Sequence, residues 1–478
     1  MNGQPEQVPP SGKPRRWRVL LFTLAGLLVL YAAYRIALRV SINSRLDAIR
    51  SAGFPATSAE LDKWYVQPPA GQNAADIYTE AFAHYEMWTN SLPRESSALT
   101  NLTGRSRHSW RPRSRSDLLP IVGLADLPPR IEPLPADMRQ LVAEYLSDNA
   151  EALRLLHQAA SMKSCRYPID LSQGCDTLLP HLNKLRQAVR LLELEAILNA
   201  DERKPQQAVE SLMIALGVSR SLKEEPRFIS YLVGIACRGM AVAGIEPVLN
   251  RTALADADLA RLASGLGEAE TDQALTRAVV GERCCVLHEF QGMRTGWTLD
   301  VGFDDTHTQY VPAGLYVTTG LLDLDERNYL DVMERFLKAS QLSPPESLAA
   351  SRSISNMVAN LPRLCVLSRM TLGSLGRVLF RAARNDAILR DAQTALAIER
   401  YRLANGGLPD QLSDLVPTFL PAVLTDPFDG QPLRYKKLAK GYIVYSIGED
   451  GADNGGAEKN SKGLSYGEGT DITFTVER

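Results

Sequence analysis

Apolar residues fall along this chain in three successive rhythms, and each rhythm predicts a different element. From Val19 to Tyr34 there is no charge at all, and Ile36, Ala37, Leu38 and Val40 carry the apolar run past Arg35. A run of this length suits one helix across a bilayer, with the stems of Arg35 and Arg39 lying on one face and reaching for the headgroups. Farther on, apolar residues recur at three-and-four spacing over Met138 to Lys163, Leu178 to Asn199, Gln206 to Leu222, Phe228 to Leu249, Asp256 to Gly265 and Thr271 to Arg294, which predicts helices with one buried face. Pro205, Pro226 and Pro247 punctuate these segments at helix starts or ends. A shorter amphipathic stretch runs from Asp76 to Asn90. A last helical pattern, Leu372 to Ala404, meets the stop signal Asn405-Gly406-Gly407. Strand-type residues then gather at Leu433 to Tyr435, Tyr442 to Ile447 and Ile472 to Val476, predicting a small antiparallel sheet packed on that helix.

The expected fold is therefore mainly α: an N-terminal transmembrane helix, a body of helical hairpins, and a small C-terminal α+β domain. The expected boundaries are a cytoplasmic tail at 1–16, a signal-anchor span at 17–40, a partly helical linker region at 41–137, a helical bundle or repeat-like domain at 138–367, and the long helix with its sheet at 368–478. Orientation is open on charge alone. Lys13, Arg15, Arg16 and Arg18 before the span are matched by Arg35, Arg39, Arg45 and Arg50 after it. A cleaved signal peptide is the rival to an anchor; Ala32 and Ala33 follow the apolar core, but a clear A-x-A site is absent.

Composition narrows the function classes. With 478 residues, 45% hydrophobic and 23% charged, the chain is long and apolar enough for packed cores, and its formal net charge of -2 argues against coating a nucleic acid. Arg105, Arg107, Arg111, Arg113 and Arg115, with Trp110 among them, form a basic run inside the Ser- and Pro-rich stretch Ser91 to Pro135. Such a run reads as a solvated loop, with an anionic-surface patch as the alternative. The six cysteines form no CxxC pair, and the six histidines show no zinc-ligand spacing. Cys165 and Cys175 bracket a turn-like stretch and are the disulfide candidates in an oxidising compartment, against the alternative of two free thiols.

One segment crowds titratable residues: Glu282, Cys284, Cys285, His288 and Glu289, followed by Asp304, Asp305 and His307. On one helix Cys284 and His288 share a face, so an extracytoplasmic enzyme with a site between Glu282 and His307 is one alternative function. The hairpin Leu192 to Arg220, with Leu192, Ala196, Ala208, Leu212 and Ala215 at its packing positions, resembles a tetratricopeptide repeat. That resemblance implies a peptide-binding helical scaffold as the other alternative.

The most specific pattern lies at the C-terminus. Ala395 to Pro409, reading ALAIERYRLANGGLP, is followed by Asp426-Pro427-Phe428-Asp429-Gly430-Gln431-Pro432-Leu433-Arg434-Tyr435, then Gly441 to Gly451, and finally Thr470-Asp471-Ile472. In this order the segments resemble the globular domain of the major pseudopilin of type II secretion, over about residues 385–478, while the rest is similar to membrane-anchored helical proteins of bacteria. The resemblance implies calcium held by the loop between the last strands, Gly448 to Asp471, with Asp450 and Asp471 as ligands and Asp453 as a weaker third. It also implies a single-pass protein of the inner membrane with its bulk in the periplasm, in contact with envelope or secretion machinery, acting as a structural or interaction protein.

Overall fold

The structure is a computed structural model and describes residues 14–88, 114–269, 273–296, 313–373, 375–458 and 469–478. The described residues are mainly helical, with one three-stranded antiparallel sheet near the C-terminus.

Helix α1 (Pro14–Ser51) is a single unbroken helix. Residues 17–34 are exposed throughout, whereas Leu38 and Ile42 are buried. One helix thus has two roles along its length: a bare apolar half long enough to cross a membrane, and a second half that docks on the protein. The docking is electrostatic as well as apolar. Arg35 and Arg39 both reach Asp323, at 3.0 and 3.2 Å, and Arg45 pairs with Asp331 at 2.7 Å. The two arginines expected to snorkel to headgroups are therefore held by a carboxylate of the body, because contacts with the body begin at Tyr31, whose hydroxyl donates to the Thr318 carbonyl, before the apolar run ends at Val40.

Two short helices follow, each started by a side-chain cap: α2 (Ser58–Trp64), where Thr57 accepts from the Glu60 N–H, and α3 (Ala74–Ala83), where Asn73 accepts from the Ala75 N–H. The single helix expected over 138–163 is two, α4 (Ala136–Asp148) and α5 (Ala150–Ala159). They part at Asn149, which is fully buried; its amide accepts from Glu86 N–H at 2.9 Å and donates to Glu86 C=O at 3.1 Å. A side chain so bound to a distant backbone fixes a bend that periodicity does not reveal.

Helices α6 (His181–Asp201) and α7 (Pro205–Arg220) form the expected hairpin, with Pro205 in the first turn. Leu192, Ala196, Ala208, Leu212 and Ala215 are all fully buried between them and their neighbours. Helix α8 (Phe228–Ala243) and α9 (Ile245–Arg251) are separated at Gly244, where a Cβ would stand only 3.0 Å from Leu212 and 3.1 Å from Glu193. Helices α10 (Asp256–Ala269) and α11 (Gln273–Arg294) agree closely with their patterns. Then come α12 (Ala313–Thr318), α13 (Leu321–Ala339), α14 (Glu346–Ala359) and α15 (Val366–Leu372), before the 30-residue α16 (Gly376–Asn405). Gly406 caps α16 in a left-handed conformation, φ +73°, as the glycine stop predicted.

Strands β1 (Arg434–Lys437), β2 (Tyr442–Ser446) and β3 (Ile472–Val476) pair in the order β1-β2-β3, with Tyr435 opposite Val444 and Val444 opposite Phe474. The turn into β2 requires Gly441: its φ is +76°, and a Cβ would lie 1.7 Å from the Val476 carbonyl. The Tyr442 hydroxyl donates to the Ala395 carbonyl at 3.0 Å, fastening the central strand to α16.

Two hydrophobic cores result. One unites α3 to α10 with the sheet and the last part of α16, through Leu389, Leu396 and Ile398; the other gathers α11 to α15, Ile42 of α1 and the first part of α16, through Val378, Leu379 and Ala383. Helix α16, about 45 Å long, belongs to both. The cores thus run across the expected boundaries at 137/138 and 367/368.

Candidate functional site

The Gly448 to Asp471 loop is built around its acidic residues. Asp471 accepts from the N–H groups of Asn454 (3.2 Å), Gly456 (2.7 Å) and Ala457 (3.2 Å). Asp450 accepts from Ala452 N–H at 3.1 Å and Gly469 N–H at 3.3 Å, and Asp453 from Gly455 N–H at 2.9 Å and the Tyr445 hydroxyl at 3.2 Å. Burial raises the Asp471 carboxyl above its ordinary range, opposed by those amides. Among the described residues, no group of three His, Cys, Asp or Glu side chains converges as a metal set. Each carboxylate still has lone pairs beyond those its amides use.

The expected disulfide is corrected. Cys175 bonds to Cys285, 110 residues away, and Cys165 is a free thiol. The 3-10 turn Leu171–Asp176 places Cys175 against α11, because Gly174, with φ +60°, lets the backbone sit on the His288 ring; a Cβ there would lie 2.6 Å from His288 Cδ2. Cys165 instead lies among Tyr78 and Tyr167, and burial pushes its thiol up to about 12.

That bridge also settles the geometry of the crowded segment on α11. Cys285 is consumed in it. The Cys284 thiol is buried, points at the Pro55 carbonyl 3.2 Å away, and is pushed up to about 12 by burial, the opposite of an activated nucleophile. Burial also raises the Glu282 and Glu289 carboxyls. Asp304, Asp305 and His307 lie outside the described residues, as do Arg105, Arg107, Trp110, Arg111 and Arg113 of the basic run. Arg115, the described member of that run, is spent on Glu144 and on the Trp88 ring, 4.0 Å from its centroid.

Sequence reasoning missed three features. Asp323 on α13 is buried and takes Arg35, Arg39 and Arg294. Asp391 on α16 is fully buried with neither oxygen hydrogen-bonded, and burial together with the charges of Asp426 and Asp471 holds it well above the usual carboxylate range. Periodicity flags apolar positions, not an aspartate inside a helix facing a core. The third feature is a cleft of about 820 Å³ between the helical body and the sheet, lined by α8, α9, α16 and residues 471–474. It brings together an apolar wall (Leu232, Ile235, Met240), Arg381 and Arg384 of α16, and a strand edge.

Compared with models of known protein families, with curated proteins and with solved structures, the chain matches none of them.

Proposed function

We propose that this is a membrane-anchored interaction protein, held by the bare half of α1 in an inner membrane, with its helical body and pseudopilin-like C-terminal module in the periplasm and contacting envelope or secretion machinery. The observation that carries the reading is the Cys175–Cys285 bridge. Disulfides form and persist in oxidising compartments, so the bridge supports a periplasmic body where the flanking charges leave the orientation open. A loop of 110 residues closed in this way stabilises the body by about 5 kcal/mol in the chain-entropy account. Calcium at the Gly448 to Asp471 loop and a tetratricopeptide-like role for the α6–α7 hairpin belong to the same proposal. The buried Ala-Leu seam of that hairpin and the amide-lined carboxylates of the loop support them.

The test uses the full chain in bacterial membranes. Protease added to spheroplasts should degrade the body, and Cys175 and Cys285 should resist maleimide labelling until a reductant is added. A body protected in spheroplasts, with both cysteines labelled without reduction, overturns the reading.

A further inference from the structure

β3 is an edge strand, paired with β2 on one side only. In an antiparallel pair, alternate residues turn both main-chain groups away from the partner strand. At Thr475 those outward groups are taken by α9: its N–H donates to Glu246 at 3.1 Å and its C=O accepts from Asn250 at 2.9 Å. Glu477 N–H donates to the same Asn250 at 2.8 Å, and at the other end Asp471 N–H donates to Ala457 C=O at 2.9 Å. The alternation therefore turns Thr473 N–H and C=O outward as well, and no described residue bonds them. They face the cleft, which Thr473 lines.

The other walls suit a particular occupant. Helix α8, with α9, is apolar enough to resemble a membrane span, yet 61% of it is buried in the body. Its remaining face, with Leu232, Ala236, Gly239 and Met240 at helical spacing, opens on the cleft. Opposite it, Arg381 of α16 lines the cleft; it is exposed, and among the described residues it has no carboxylate partner. The acids nearby are already engaged, Glu246 by Arg130 and Asp471 by three amides.

We propose that the cleft takes an extended, acidic and aliphatic segment of a partner protein, which adds as a short strand to β3 at Thr473, lays an aliphatic side chain against α8 and turns a carboxylate toward Arg381. Strand addition of this kind draws affinity from main-chain bonds and selectivity from the flanking pockets. An anionic lipid would satisfy Arg381 but leave the Thr473 N–H unpaired in an apolar cleft, which disfavours it. The inference rests on the interaction-protein reading for its biological sense only, since the binding is measured on purified protein whatever its topology.

The probe is a fluorescein-labelled peptide alternating valine and glutamate, titrated by anisotropy against the full-length protein in detergent. Saturable binding is expected, weakened about tenfold by Arg381→Glu, and lost when the central peptide amide is N-methylated. Gly239→Leu is the second variant: a Cβ there meets nothing within 4 Å, so the helix folds while the side chain fills the cleft and blocks the peptide. No saturable binding to the unaltered protein overturns the proposal. So does binding that survives N-methylation or Gly239→Leu, and so does oleate displacing the peptide in an arginine-dependent way, which would make the cleft a lipid site.

Discussion

Glu193 shows what one residue can cost and when. It sits inside α6, buried, with burial pushing its carboxyl up to about 8 against the pull of Arg190. In the unfolded chain the same group titrates near 4.5. A carboxyl raised on folding makes the folded state bind the extra proton, so its contribution is fully present below about pH 4.5 and is lost as pH rises through about 8. Glu193→Gln, which keeps the shape and cannot ionise, should leave stability nearly unchanged at pH 5. At pH 8 it should raise it by a few kcal/mol, because each tenfold change in proton affinity on folding is worth about 1.4 kcal/mol. Denaturant unfolding of the two proteins at both pH values checks this; equal midpoints at pH 8 would mean that the glutamate finds a partner or water that keeps it ionised. In sequence the position is invisible, since a glutamate among Leu191, Leu192 and Leu194 reads as the polar edge of a helix. Only the packing of α8 at Gly244, against the Glu193 stem, turns that edge inward.

At the scale of elements, legibility follows how local the cause is. Helices α6, α7, α10 and α11 lie close to their expected limits because an apolar stripe, a proline or a glycine fixes each within its own few residues, whereas the single helix expected from Phe228 to Leu249 breaks at Gly244 into α8 and α9. The three strands are found for the same reason. The break at Asn149 and the Cys175–Cys285 pairing depend on partners 63 and 110 residues away, and nothing local announces them. Helix α13 is absent from the expected helices although its pattern is legible: Leu322, Tyr329, Met333 and Phe336 mark a buried face at helical spacing. What that pattern alone does not disclose is the role of Asp323, the point where α1, α11 and α13 meet. Asp323→Ala would strand Arg35 and Arg294, whose side chains are only 23% and 17% exposed, without their shared carboxylate. Loss of about 3 kcal/mol is expected, read as a lower thermal midpoint of the full-length protein in detergent. An unchanged midpoint would show that Glu326 holds Arg294 and that α1 docks by its apolar contacts at Leu38 and Ile42.

Across the whole molecule, α16 makes the C-terminal sheet part of the body rather than an appendage. Its first turns lie in the core that receives α1, and its last turns carry the sheet through Ala395 and Tyr442, while α9 grips the outer edge of β3. A ligand that stiffens the Gly448 to Asp471 loop therefore acts on a strand bonded to both the helical body and the cleft. This gives the calcium proposal a whole-molecule readout. If Asp450 and Asp471 bind the ion, calcium at a hundred times its dissociation constant should stabilise the full-length protein by about 2.7 kcal/mol. A chelator should reverse the rise in thermal midpoint, and Asp450→Ala should abolish it while leaving the calcium-free midpoint almost unmoved, because Asp450 is exposed and its carboxylate bonds only within the loop. The same ion should tighten the peptide at Thr473, since Asp471 lies directly before β3 and a fixed Asp471 fixes the strand edge. A midpoint indifferent to calcium would mean that the loop is closed by its own amides. The proposed likeness to pseudopilins would then extend no further than the sequence pattern of the C-terminal segment.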